Sequence, residues 1–275
     1  MSYPASIVVP LLRQRDDWLE RAVRSAVEQT VAAEVIVVVS DDTPPSNLAV
    51  LDRMGRDTSR LHVIGRPRPG FGAGLNAGIA AVTTPRVGFV LSDDWLDTDA
   101  LEVCLPFDDD IVSAGLYGFS ADGETFIPSI SRVIHREAYE RRETDAERAD
   151  YLGHFLLLRV SSVERAGGLD ETIGDSPGVD DLDLVWRMLE RGASVGLPGR
   201  SVYNYRDHDG ERLTLHDPAE MLATFERMLV SHGVTGAARE TAIATHAPWF
   251  GRTVLSAQRE LHGPDGRERE RLGRW

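Results

Sequence analysis

The sequence predicts an α/β fold: a mostly parallel central sheet flanked by helices, with a helical C-terminal extension. Three observations carry that expectation. Apolar runs without alternation, bounded by turn residues, read as strands buried on both faces; Glu34–Val39 and Val87–Leu91 are the clearest. Strand-like and helix-like segments alternate through the first hundred residues, the pattern of a doubly wound sheet. Two acidic steps, Ser40-Asp41-Asp42 and Ser92-Asp93-Asp94, each follow such a run. They place paired carboxylates at the carboxyl edge of the sheet, where open α/β sheets bind ligands.

The expected elements run in order. Strand one is Ser6–Pro10, and Asp16–Thr30 is an amphipathic helix with Trp18, Leu19, Ala22, Val23, Ala26 and Val27 on one face. Strand two is Val35–Val39, and the loop Asp42-Thr-Pro-Pro-Ser46 leads to a short helix over Asn47–Met54 that Gly55 should end. Leu61–Ile64 is strand three, a glycine-rich helix opens at Gly70, and Val87–Leu91 is strand four. Beyond Asp94 the pattern changes. Ile111–Phe119 and Thr125–Ile134 read as extended segments joined by the Ala121-Asp122-Gly123-Glu124 turn. The charged stretch Arg136–Asp150 is either a solvated helix or a loop. Asp181–Arg191 is a helix that Gly192 ends, followed by short strands over Ser194–Leu197 and Ser201–Tyr205. Asp217-Pro218 is an N-cap and first-turn pair opening a helix through about Val230, and the rest is helical up to the charged tail Gly266–Trp275. The expected division is therefore 1–216 and 217–275.

Composition narrows the function. Among 275 residues 42% are hydrophobic, enough for a sizeable core. A net charge of −14 argues against nucleic acid or an anionic membrane as the main partner. A phosphate-bearing substrate would approach such a surface with a cation, and a divalent metal held by carboxylates supplies one. Cys104 is the single cysteine, which excludes an intrachain disulfide and a thiolate zinc site. Its neighbours Leu101, Val103 and Leu105 mark it as a buried structural thiol. The start lacks the basic residues of a signal peptide, and no apolar run reaches the length of a membrane span. The expectation is a cytoplasmic protein, with peripheral attachment to a membrane left open.

Seven segments then stand in a telling order: Ile7-Val-Val-Pro10, Val37 to Thr43, Gly72-Ala-Gly-Leu-Asn-Ala-Gly-Ile79, Phe89 to Trp95, Gly167-Gly-Leu-Asp-Glu171, Gly178 to Leu184 and Tyr205-Arg-Asp-His208. Together they resemble the GT-A glycosyltransferases of the inverting family 2, over roughly residues 5–215. The resemblance implies a Rossmann-like GT-A fold. It also implies metal-dependent, inverting transfer of a sugar from a nucleoside-diphosphate sugar to an acceptor hydroxyl.

The resemblance also assigns roles. Pro10, Asp41, Asp42, Gly72, Asn76, Asp93 and Arg206 would meet the nucleotide sugar, Arg206 through its diphosphate. A carboxylate such as Asp41 is a pure acceptor suited to an imide N–H or sugar hydroxyls, although Asp in this setting also caps turns. Asp94 would contact Mn2+ or Mg2+ directly, hard cations that prefer oxygen, with His208 as a second ligand or diphosphate contact. Asp181 would be the catalytic base, competing with a plain helix-capping reading of Asp180-Asp181. Arg66 and Arg68 are either phosphate contacts or solvent-exposed. Trp186 reads as core rather than as a sugar platform.

The family's aromatic and Asn after the strand-one proline are replaced here by Leu11, Leu12 and Arg13. That leaves the base open: a UDP-sugar by default, with GDP and dTDP as alternatives. The acceptor would be a glycan, lipid or protein, and a homo-oligomer stays open. Two other function classes compete with this one. A sugar nucleotidylyltransferase should carry a glycine-rich basic loop after strand one, which Leu11–Asp17 is not. A non-catalytic nucleotide- or glycan-binding module on the same fold would have no need of both Asp94 and Asp181.

Overall fold

The computed structural model describes residues 3–67, 70–173, 179–210 and 217–262. Its first four strands follow the apolar runs: β1 (Ser6–Pro10), β2 (Glu34–Val39), β3 (Leu61–Gly65) and β4 (Arg86–Phe89). They pair in parallel in the order β4-β1-β2-β3. Ile7, Val9, Val35 and Val37 turn to one core, against Leu19 and Val23 of α1 (Asp16–Val27) and Val50 and Leu51 of α2 (Pro45–Asp57). Val8, Ile36 and Val38 turn to the other, against Leu75 and Ile79 of α3 (Phe71–Ala81). An uninterrupted apolar strand thus fills two cores at once. Each such side chain contributes about 1.5–3 kcal/mol by leaving water. On α3 a Cβ at Gly78 would stand 2.4 Å from Val8 Cγ1, so this glycine lets the helix backbone approach the sheet.

Some elements differ from expectation. Helix α2 runs through Gly55 to Asp57, because buried Val50, Leu51 and Met54 anchor it; the cost of one interior glycine, about 1 kcal/mol, is smaller than that burial. A strand absent from the sequence reading, β9 (Leu156–Arg159), enters antiparallel between β4 and β6 (Ile111–Ser113). With β10 (Val195–Gly196) at the edge, the sheet has seven strands in the order β10-β6-β9-β4-β1-β2-β3.

The segment expected to extend from Ile111 to Phe119 breaks at Ala114 and passes to a second sheet. That sheet contains β5 (Trp95–Leu96), β7 (Gly115–Ser120), β8 (Phe126–Arg132) and β11 (Ser201–Asp207) in the order β5-β11-β7-β8. Gly115 sits at the crossing, where a Cβ would fall 2.1 Å from the Arg132 carbonyl oxygen. Between the sheets' strands, α4 (Ala100–Cys104) buries the lone thiol, and burial pushes its pKa up to about 12.

The charged stretch forms two short helices, α5 (Arg136–Glu140) and α6 (Asp145–Tyr151); a Thr144–Glu147 capping box starts the second. After α7 (Val160–Ala166) comes α8 (Asp180–Glu190). In the extension, α9 (Pro218–Ser231) is capped by Asp217, whose carboxylate accepts the Ala219 N–H at 2.7 Å. Its Met221, Phe225, Met228 and Leu229 enter the core that Leu184, Val185 and Met188 of α8 occupy. The extension therefore shares a core with the rest of the fold. Helix α10 (Gly236–His246) and α11 (Val254–His262) follow, and Asp207 at the end of β11 accepts the Val254 and Leu255 N–H groups at 3.0 Å each. The tail Gly266–Trp275 lies outside the described residues. No described helix is long and apolar enough to cross a membrane.

Candidate active site

Strand order sets the site. The chain moves from β1 outward through β2 to β3, then returns to place β4 on the other side of β1. A ligand crevice forms at such a switch point, beyond the carboxyl ends of the strands. Pro10 ends β1 opposite Val38, and the two acidic steps leave β2 and β4 on either side of it. The Ser40 N–H donates to Thr43 Oγ1 at 2.9 Å and the Thr43 N–H to the Ser40 carbonyl at 3.0 Å. That turn is self-contained, and it leaves Asp41 and Asp42 exposed. Across from it, buried Asn47 exchanges hydrogen bonds with the Gln14 backbone at 2.9 and 2.7 Å, fixing the loop after β1.

The second acidic step is divided between two environments. Asp94 is 2% exposed. Its Oδ2 accepts the Tyr203 hydroxyl at 2.7 Å, and its Oδ1 accepts the Arg206 N–H at 2.7 Å. Burial, reinforced by the Asp94 charge, holds the Tyr203 pKa well above its ordinary value, so the phenol remains a donor. Asp93 Oδ2 lies 3.0 Å from His208 Nε2. The Gly210 N–H donates to Nδ1 of that ring at 3.1 Å, so the neutral ring carries its proton on Nε2, toward Asp93.

Among the described residues no three His, Cys, Asp or Glu side chains form a metal cage. The 3.0 Å between Asp93 Oδ2 and His208 Nε2 nevertheless fits a hard cation. Adjacent ligands on an octahedral ion with bonds near 2.1 Å stand about 3 Å apart. Asp93 Oδ2 and His208 Nε2 are the atoms that would hold such an ion. Beside His208 a cleft of roughly 570 Å³ opens, lined by Arg13, Arg15, Trp18, Pro44 and Asp122.

Arg206 corrects its expected role. Its guanidinium is buried between Trp18 and Trp95, 4.4 and 5.1 Å from their ring centroids. It donates to the main-chain carbonyls of Asp93 at 2.8 Å and Ala121 at 3.0 Å. Burial, then the nearby Arg21 charge, lowers its pKa. Its donors hold the acidic loop instead of meeting a diphosphate.

Asn76 is likewise committed to the protein. Its amide donates to the Leu169 carbonyl at 2.9 Å and Glu171 Oε1 at 2.8 Å, and accepts the Leu169 N–H at 2.9 Å. It ties α3 to the Gly167–Glu171 lip. Gly72 packs against the same lip, where a Cβ would make ordinary contact with Leu169. Gly167 and Gly168 turn that lip with φ of 91° and 71°. Arg66 Nη1 lies 3.4 Å from the Gly70 carbonyl, and Arg68 lies outside the described residues. Trp186 is buried, stacked 3.9 Å from the His232 ring.

Asp181 stands on the first turn of α8, whose N-cap is Val179, so neither Asp180 nor Asp181 is the cap. Asp181 Oδ1 accepts the Leu182 N–H at 2.9 Å, and Oδ2 lies 3.4 Å from His154 Nε2. The His154 ring packs on Tyr203 with centroids 5.4 Å apart. A continuous path therefore joins Asp181 to Asp94 through His154 and Tyr203. Tyr203, His154, Trp18 and Asn47 were not among the site residues expected from sequence. Only Trp18 had a local signal, its place on the apolar face of a helix, and that signal pointed to core.

Residues 6–167 match Glycosyl transferase family 2. The chain is 28% identical over 217 residues to the uncharacterized glycosyltransferase EpsJ of Bacillus subtilis (strain 168), a match covering 74% of this chain and 61% of EpsJ. It is 28% identical over 177 residues to the chondroitin synthase of Pasteurella multocida (strain Pm70), covering 64% of this chain and 18% of that enzyme. Similar solved structures include S. aureus TarS 1–349 in complex with UDP-GlcNAc, with TM-score 0.61 and 15% identity, covering 82% of this chain and 65% of that one. The mannosyltransferase PcManGT from Pyrobaculum calidifontis, in complex with GDP-Man and Mn2+, gives TM-score 0.63 and 16% identity, covering 95% and 75%. The expected GT-A architecture is thus the observed one, and this chain belongs to glycosyl transferase family 2.

Proposed function

We propose that this chain is a metal-dependent, inverting glycosyltransferase that moves a sugar from a nucleoside-diphosphate sugar to a hydroxyl of a glycan, lipid or protein acceptor. The observation that carries the reading is the run of contacts from His208, Asp93 and Asp94, just past the carboxyl end of β4, through Tyr203 and His154 to Asp181. Likeness to structures holding UDP-GlcNAc, and GDP-Man with Mn2+, supports a nucleotide-sugar donor. The exposed carboxylates of Asp41 and Asp42 are suited to accept from base or ribose.

In this reaction Asp181 takes the acceptor proton as the hydroxyl oxygen attacks the anomeric carbon. The nucleoside diphosphate leaves from the opposite face, so the anomeric configuration inverts. Asp94, expected as the direct metal contact, has its two oxygens engaged by the Tyr203 hydroxyl and the Arg206 N–H. In this reading Asp93, facing His208, takes that role with it. The two would hold Mn2+ or Mg2+ with Asp94 beside them, the metal supplying charge that offsets the charge building on the leaving diphosphate. Arg206 keeps the Asp93–Asp94 loop in place beneath these groups.

A thermal-shift panel of UDP-, GDP- and dTDP-sugars, with and without Mn2+, tests donor and metal together, because a ligand of the folded state raises Tm. The expected result is a metal-dependent shift with one base. Asp94→Ala should abolish that shift, whereas Asp181→Asn should retain it and lose most transfer. Equal loss of nucleotide affinity in both variants would refute the division of roles.

A further inference from the structure

We infer that His154 is a positioning residue for the acceptor side of this site, holding the Asp181 carboxylate at a fixed angle to the Asp93–Asp94 loop. The inference rests on the reading of Asp181 as base. Asp181 needs such a partner. Its side chain is 47% exposed, and its local tie is to the N–H of the next residue on the same helix. That bond fixes Oδ1 relative to α8 and says nothing about where α8 stands relative to the donor. His154 reaches Oδ2 from another part of the chain, the segment between α6 and β9, at 3.4 Å. Contacts of this kind are often long before substrate binds and tighten in the reacting complex.

The His154 side chain is 41% exposed, but the chain on either side of it and one face of its ring are anchored. Next to it, Gly153 is tied by two hydrogen bonds of 3.0 Å to the Ser113 hydroxyl, and Phe155 is fully buried. The imidazole rests on the ring of Tyr203, which is 1% exposed and bonded through its hydroxyl to Asp94 and to the Leu91 N–H. The same tyrosine therefore orients the donor-side carboxylate with its oxygen and the acceptor-side histidine with its face. No proton of the transfer passes to His154 in this arrangement. The acceptor proton ends on Asp181, and His154 restricts the carboxylate so that its acceptor-facing lone pair stays aligned. A misplacement of about 1 Å at a reacting group can cost on the order of 100-fold in rate.

The test compares His154→Ala, His154→Gln and Asp181→Asn, with Tm measured for each. UDP-GlcNAc and GDP-mannose are supplied with Mn2+, with water as the acceptor, and nucleoside diphosphate release is followed. Crystal structures of the same variants show the Asp181 side chain. His154→Ala should lower kcat roughly 10- to 100-fold with donor KM unchanged, and spread Asp181 over more than one rotamer. His154→Gln, whose amide N–H can occupy the place of Nε2, should restore both a single rotamer and most of kcat. An ordered Asp181 in His154→Ala, an unchanged kcat, or a loss as complete as that of Asp181→Asn overturns the inference. Should neither sugar turn over, the Asp181 rotamer alone decides. Full release by Asp181→Asn would instead remove the base reading, and the inference with it.

Discussion

At the scale of single residues, the site is built by buried polar groups that each serve two partners. Tyr203 is the clearest case: one hydroxyl donates to Asp94 and accepts from Leu91, while the ring carries His154. Tyr203→Phe removes one oxygen from a buried position and leaves Asp94 Oδ2 and the Leu91 N–H each without that partner. The expected loss is about 1–3 kcal/mol of stability. It should appear as a lower urea midpoint with unchanged slope, together with weaker metal-dependent nucleotide binding. Arg206 and Asn76 follow the same logic. Both are polar residues in family motifs, yet their donors meet groups of neighbouring loops, the main-chain carbonyls of Asp93, Ala121 and Leu169 and the Glu171 carboxylate. The residue type announced a polar task, and only the fold says whether a ligand or the protein receives it.

At the scale of elements, α8 carries Asp181, the proposed base, and α9 holds α8 in place. His232, which ends α9, places Nδ1 2.8 Å from Glu190 and Nε2 3.1 Å from Asp183, both on α8. Two carboxylates, one on each ring nitrogen, require both nitrogens to donate, which only the imidazolium does. Burial works against that charge, but hydrogen bonds to Asp183 and Glu190 outweigh it and raise the His232 pKa above its ordinary 6.5. For Asp183, burial is likewise outweighed, by His232 and Arg187, and its pKa is lowered from 3.8. The raised histidine contributes stability that is full below about pH 6.5 and is lost as pH rises through its folded pKa. The lowered carboxylate contributes stability above about pH 4 that is lost as pH falls through its own folded pKa. The clamp is therefore strongest between these limits. Tm of the intact protein should fall from pH 6 to pH 8, and His232→Gln should flatten that dependence; an equal slope in both would remove the clamp.

At the scale of the whole molecule, two apolar cores lie on opposite faces of a seven-stranded sheet, and the C-terminal helices complete one of them. Truncation after residue 216 should expose the partners of Phe225 and Met228 on α8 and yield aggregated protein. Size-exclusion chromatography checks this, and a soluble, monodisperse truncated chain would show the extension to be separable.

Much of this architecture was legible in sequence. Strands β1 to β4 announce themselves because a strand covered on both faces must be apolar throughout. Helix α9 announces itself through Asp217-Pro218. Strand β9 did not, because Leu156-Leu-Leu-Arg159 is too short to show a period and its pairing is with chain more than forty residues away. The second sheet was hidden for a related reason: the chain changes sheets at Ala114–Gly115 within one extended run.

Read without its structure, the chain already specifies the parallel frame and the acidic steps at the carboxyl ends of its strands. Local pattern encodes these, since burial demands apolar strands and ligand binding demands polar residues just past them. Tertiary structure alone decided what each polar group faces. It turned Arg206 and Asn76 inward, set Asp93 against His208, and linked Asp181 to Asp94 through His154 and Tyr203. These pairings join residues 27 to 115 positions apart, and no local spacing records a contact made by packing one element on another.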